Sequence, residues 1–191
     1  MSLNDIETYK VIDDVNSYYR LQSESKGELL LNKYPNAAAA YSLRLLDGYY
    51  RGPLVRVRRE DGVEVDVYPD YNNELSLDSL VTNVDAHTTE DEIPDADYAF
   101  ELGLHSLGEF VGHDGYSSTL TSASTATVCV WYDQSKGNQF DLANNAKQVA
   151  ATLQPKIYDS TNGAVVNANG NPALYSDDST TFQTLSGNIS G

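Results

Sequence analysis

Carboxylates are the groups of this chain with the most chemistry in reach, since 28 of its 191 residues are Asp or Glu. Glycoside hydrolysis needs two of them about 5 to 9 Å apart across a sugar. Asp133 is the best single candidate, because VCVWYDQSKGNQ places it at the exit of a β-branched apolar run. Its side chain there either faces a ligand or caps the turn that follows. No second carboxylate is singled out by spacing, so no catalytic residue is assigned. His87, His105 and His113 share no tight ligand spacing, and the lone Cys129 is far from all three, so no metal site is assigned either. Asp70, Asn72 and Glu74 in DYNNEL space their oxygens as a calcium loop does, but the loop's glycine and distal glutamate are missing, which leaves turn chemistry. Tyr49, Tyr50 and Trp131 are aromatics able to stack on sugar rings, and with Asp133 they form the candidate sugar contacts. No phosphate-binding glycine loop and no Ser-His-Asp set occurs, and no cofactor is expected.

The elements that must position these groups follow from periodicity. TATVCVWY, residues 125–132, is β-branched and aromatic without Gly or Pro, and reads as a central strand buried on both faces, with Cys129 a buried structural thiol. Residues 37–46 are rich in Ala, Leu and Arg, with Tyr41, Leu45 and Leu46 on one helical face and Gly48 as the stop, which predicts a helix. After Gly52-Pro53 the pattern alternates. Val55 and Val57 oppose Arg56 and Arg58; Asp61-Gly62 supplies positive φ angles; Val63, Val65 and Val67 return between Glu64 and Asp66. A hairpin is predicted with its opposite charges meeting on the wet face, each pair contributing about 0.2 to 1 kcal/mol. A short helix capped near Ser76 is expected within residues 75–84, and helical spacing returns over residues 98–111, interrupted by Gly103 and Gly108. Pro155 to Ile157 opens another strand, and Asn162-Gly163 and Asn169-Gly170 mark two further hairpins.

The stretch AAAAYSLRLLDGYYRGPLVRVRREDGVEVDV and the later VCVWYDQSKGNQ together resemble the opening of the arabinofuranosidase-B-like domain, a jelly-roll β-sandwich. That family shows, in this order, a small-residue helix, a "G(P)L-x-x-V-R-R" strand with an acidic return strand, and a "YDQSG-x-GN" loop. Similar domains recur in phage structural and tail proteins, often ahead of a laminin-G-like jelly roll. PAL followed by an acidic patch, residues 172–178 here, is how such a jelly roll commonly starts. The family's catalytic carboxylates lie later than the matched motifs, so none is carried over.

A formal net charge of −16 repels phosphate backbones, so nucleic acid is not an expected partner. No signal peptide opens the chain and no run reaches a membrane span, so the Asn188 glycosylation acceptor is set aside and membrane insertion is not expected. Residues 1–36 fall outside the resemblance. Their apolar residues Ile6, Tyr9, Val11, Ile12, Tyr18, Tyr19 and Leu30 have no self-contained core, which predicts an attachment arm. The ending TLSGNISG suggests that a longer polypeptide continues.

Three regions are therefore expected: the arm at 1–36, an arabinofuranosidase-B-like domain at 37–153 and the start of a second β region at 154–191. The fold should be mainly β, a jelly-roll-like sandwich with two or three short helices and an extended N-terminal arm. The resemblance, the arm and the chain ending imply a virion component of a tailed phage, made in the host cytoplasm. It would be the virion-proximal part of a tail fibre or related appendage, a homotrimer bound to other tail proteins and carrying domains that meet a cell-surface glycan. The alternatives are a carbohydrate-binding or arabinofuranosidase-related module, and a capsid decoration protein.

Overall fold

The computed structural model describes residues 29–83, 106–135 and 145–176. Ile6, Tyr9, Val11, Ile12, Tyr18 and Tyr19 lie outside them. Within them the chain is mainly β with a few short helices, and its main sheet is antiparallel and curled like half a barrel. Helix α1 (Leu30–Lys33) is a single turn that packs on the chain rather than projecting away from it. Leu31 is buried and its N–H donates to Leu46 O, while Asn32 Oδ1 accepts from Gly48 N. Residues 29–36, expected in the arm, thus include part of this fold, although Leu30 itself remains 56% exposed.

The predicted hairpin forms. Strands β1 (Val55–Arg59) and β2 (Glu64–Val67) pair with Arg56 opposite Asp66 and Arg58 opposite Glu64. Only Gly62 of the turn takes a left-handed φ, at 89°; Asp61 contributes its carboxylate instead, accepting from Val63 N. The helix expected within residues 75–84 is not there. A turn at 76–79 leads into β3 (Val81–Asn83), which pairs with β2 and buries Val81 opposite Val67.

Strand β4 (Ala126–Trp131) is central, as its composition predicts. One edge pairs with β1; the other is shared by β5 (Ala146–Lys147) and β6 (Lys156–Asp159). Its two faces are not equally dry, however: Val128 and Cys129 are buried, while Thr127, Val130 and Trp131 are half-buried. The register against β1 shifts between Arg56 and Val57, leaving Cys129 as the extra, unpaired residue of a bulge. Strand β7 (Ala164–Val165) extends the sheet beyond β6, and β8 (Asn167–Ala168) with β9 (Asn171–Pro172) makes a separate ribbon. The boundary expected at 153/154 falls inside this main sheet.

Val55, Val57, Val65, Val67, Val81, Ala126 and Val128 build the core together with Leu43, Leu54 and Leu75. Helix α2 (Leu107–Val111) adds Leu107, Phe110 and Val111, and is the described remnant of the helical spacing over 98–111. It starts at a capping box between Ser106 and Glu109 and stops at Gly112 in the left-handed region. Gly108 is tolerated inside it for a reason of space. The Tyr116 ring lies where a Cβ would be, at 2.7 Å.

The helix predicted over residues 37–46 is absent, and the stretch is extended. Leu43 and Leu45 are buried on either side of an exposed Arg44, a period of two rather than 3.6. Its backbone bonds go to distant partners: Leu75 N donates to Leu43 O, Leu45 N to Asn73 O, and Gln134 N to Ala40 O. Helix propensity is worth only tenths of a kcal/mol per residue, about 0.7 at most for ordinary residues, and these non-local bonds override it.

Candidate functional site

The two stretches that carry the family resemblance meet at the turn after β4. Tyr132 N donates to Leu54 O, closing the end of β1 against β4. Asp133 Oδ1 then accepts from Ser135 N at 2.9 Å and from Ala40 N at 2.7 Å, while Oδ2 accepts from the Ser135 hydroxyl at 2.8 Å. Gln134, with no exposed surface, completes the clamp. Its Oε1 accepts from Leu46 N at 2.9 Å, and its Nε2 donates to Ser42 O at 3.2 Å and Arg44 O at 3.0 Å. Residues 40–46 are thereby a strap, gripped on one side by Gln134 and bonded on the other to residues 73–75.

A second buried polar cluster lies on the outer face of the hairpin. Arg56 donates through Nε and Nη2 to the two oxygens of Asp66, each at 2.9 Å, and the Tyr132 hydroxyl donates to Asp66 Oδ1 at 2.7 Å. This corrects the wet-face expectation, since Asp66 is buried. Burial alone would weaken the Arg56 charge, yet the hydrogen bonds and charge of Asp66 more than offset it and raise the pKa. Burial, followed by Asp66, holds the Tyr132 phenol well above its usual range. The neighbouring Arg58–Glu64 pair is half-buried and matches the predicted register.

The DYNNEL segment is a turn, as its chemistry predicts. Asp70 Oδ1 accepts from Asn72 N and Glu74 N, Oδ2 accepts from the Ser76 hydroxyl, and Asn73 takes φ 69°. Asp66, Asp70 and Asp133 therefore share one use, gathering N–H and O–H donors within the fold. That geometry ties segments together; it does not present a carboxylate to a substrate.

The four candidate sugar contacts are not assembled into one open face. Tyr49 is 81% exposed. Tyr50 is buried, its hydroxyl donating to Pro53 O at 2.7 Å, and Asp133 is buried in the clamp. Trp131 is half-buried, its ring 6.0 Å from that of Tyr41 at a 52° tilt, and its buried indole Nε1 has no hydrogen-bond partner among the described residues. His113 lies against Tyr158, with Nδ1 and the hydroxyl 3.1 Å apart; His87 and His105 fall outside the described residues. Among the described residues no group of three or more His, Cys, Asp or Glu side chains could hold a metal ion, and no helix is long and apolar enough to cross a membrane.

Sequence reasoning missed Gln134 and the Asp66 cluster. A signal for the first was present: a glutamine directly after a turn aspartate, at the exit of a buried strand, has its backbone neighbours already ordered and only its amide left to satisfy. For Asp66 there was none, because alternation places it beside Glu64 and only the position of Tyr132 separates their environments. No family model, curated protein or solved structure matches this chain.

Proposed function

We propose that this chain is a structural component of a tailed-phage virion, the virion-proximal part of a tail fibre or related appendage. In this reading the curled sheet is one layer of a jelly-roll-like sandwich, and the protein is a homotrimer that docks to other tail proteins and carries host-recognition domains. The observation that carries it is the junction at Asp133 and Gln134. The stretches bearing the resemblance lie about ninety residues apart in sequence, as the Ala40–Asp133 separation of 93 illustrates, yet they bond directly to each other. They behave as one structural unit, and the buried carboxylates in and around it serve as ties, which suits a scaffold better than a hydrolase. The net charge of −16 agrees with a partner surface of protein rather than nucleic acid.

Light scattering on the purified chain at two salt concentrations tests the assembly. A trimer at both is expected, and a monomer at both would overturn the trimeric reading. Because residues 30–33 pack on the fold, an arm deletion should remove residues 1–28 only; it should leave a folded remainder that no longer joins its assembly. Carbohydrate binding is the second reading, favoured by the exposure of Tyr49 together with Tyr34 and Tyr71. Binding on a glycan array that Tyr49→Ala abolishes, or arabinofuranoside hydrolysis lost on changing one carboxylate, would put it first.

A further inference from the structure

The turn between β6 and β7 contains Asn162-Gly163, and its two halves are held very differently. The first half is anchored: the Ser160 and Thr125 hydroxyls lie 2.8 Å apart, Ser160 N donates to Thr125 Oγ1, and Thr161 N donates to Asp159 Oδ1. The second half is open. Asn162 is exposed, and among the described residues neither its side chain nor the Gly163 N–H makes a hydrogen bond. A titratable ring stands beside the same peptide, for a Cβ placed on Gly163 would lie 3.6 Å from His113 Cε1 and 3.8 Å from His113 Nδ1. Lacking a side chain, Gly163 leaves its nitrogen unshielded.

We propose that Asn162-Gly163 is a self-modifying site at which Asn162 is converted to aspartate and isoaspartate with the help of His113. The Gly163 nitrogen attacks the Asn162 side-chain carbonyl carbon, and His113 Nδ1, which lies 3.1 Å from the Tyr158 hydroxyl, takes the proton from that nitrogen as the hydroxyl turns away from it. A C–N bond forms, the bond to the side-chain amide nitrogen breaks, and ammonia leaves with the returned proton. Water then opens the cyclic imide at either carbonyl. One water enters, one ammonia leaves, nothing is oxidised or reduced, and the turn gains one negative charge. Opening toward isoaspartate also inserts a methylene into the backbone next to β7.

Asn169-Gly170 is the internal control, being the same dipeptide in a different setting. Asn169 sits at φ 55° in the β8–β9 turn, the Gly170 N–H donates to Asn167 Oδ1 at 3.4 Å, and Asn171 Nδ2 donates back to Asn169 O. Its nucleophile is engaged, and among the described residues no imidazole lies within 4 Å of a Cβ placed on Gly170.

Incubating the full chain at neutral pH and following both sites by site-resolved mass spectrometry, with isoaspartate detection, decides the matter. Asn162 should convert well ahead of Asn169 in the folded protein, and the two should converge in denaturant. His113→Gln should slow conversion at Asn162 by about tenfold or more while leaving Asn169 unchanged. Were His113 only a packing residue, its loss would loosen the turn and raise the rate, so the sign separates the two roles. Equal folded-state rates, no conversion at Asn162, or a rate there that His113→Gln leaves unchanged or raises would each overturn the proposal. Gly163→Ala, which crowds the nucleophile, should suppress the reaction in folded and unfolded chain alike; conversion that survived it in denaturant would also count against the cyclic route.

Discussion

The β1–β2 hairpin and the strap at residues 40–46 are near neighbours in sequence but owe their shapes to different sources. In the hairpin, alternation, charge placement and the turn glycine all agree, and thirteen residues are enough to specify the register. The strap carries good helix formers yet lies extended, because its backbone donors and acceptors are taken up by Gln134, Asp133 and residues 73–75. Local preference decides a conformation when nothing distant competes for the backbone. Where a buried side chain offers three matched hydrogen bonds, the preference loses.

Removing the clamp should break this contrast most visibly. Gln134→Ala leaves Leu46 N and the carbonyls of Ser42 and Arg44 without their partner in a partly buried setting, where an unsatisfied group costs at most about 1 to 3 kcal/mol. Some of them will regain water as the strap loosens, so a destabilisation of about 3 kcal/mol in urea unfolding is expected. A loss under about 1 kcal/mol would mean that the strap holds itself extended.

Asp66→Ala asks how far the hairpin also leans on distant groups. It leaves Arg56 and the Tyr132 hydroxyl without their shared acceptor, and about 2 to 3 kcal/mol should be lost, somewhat less than for a fully buried pair because Arg56 keeps some contact with water. The predicted register itself should survive, as strand-pairing shifts in NMR spectra can verify. Cys129 reports on the same region, its thiol pushed up to about 12 chiefly by burial, with Glu64 adding to the effect. It should resist alkylation at neutral pH in the native protein and react once β4 parts from β1. Ready alkylation without unfolding would show that the bulge is open.

Arg58→Ala should be milder, about 0.5 to 1 kcal/mol, since both side chains of the Arg58–Glu64 pair keep contact with water, at 27% and 24% exposure. Smallest of all is the turn. The Arg59 hydrogen bond, aided by Val63 N, holds the Asp61 carboxyl below its ordinary range. A depressed carboxylate stabilises the fold above its unfolded pKa, and that contribution disappears as the pH falls through the folded value. With Asp61 largely in solvent, screening leaves about 0.3 kcal/mol, so the acid limb of the stability curve of Asp61→Asn should nearly overlay that of the parent.

Much of the architecture was readable from residue order. The central position of 126–131, both strands of the hairpin, the strand opening at residue 156 and the Asn-Gly turns each express a period of two bounded by turn residues, which needs no knowledge of the rest of the chain. LSLDSLVTN was misread as a helix for the same reason as the strap. Its leucines fit a helical face, but Ser79 O and Leu77 O accept from the N–H groups of Leu107 and Gly108, and Val81 completes an edge beside β2. The candidate site was half readable. Asp133 was identified at its turn, and the turn-capping alternative is the one the geometry bears out, whereas the burial of Tyr50 and the pairing of Trp131 with Tyr41 depend on chain segments that spacing does not locate.

Residue order alone thus decides where strands alternate, where turns fall and that the chain is acidic, because these depend on neighbours within a few positions. Folding decides which polar groups end up inside. Gln134, Asp66 and Asp133 look like ordinary surface residues in the sequence. They became internal ties because segments as many as 93 residues apart close over them, and a buried polar group is stable only where the chain returns to satisfy it.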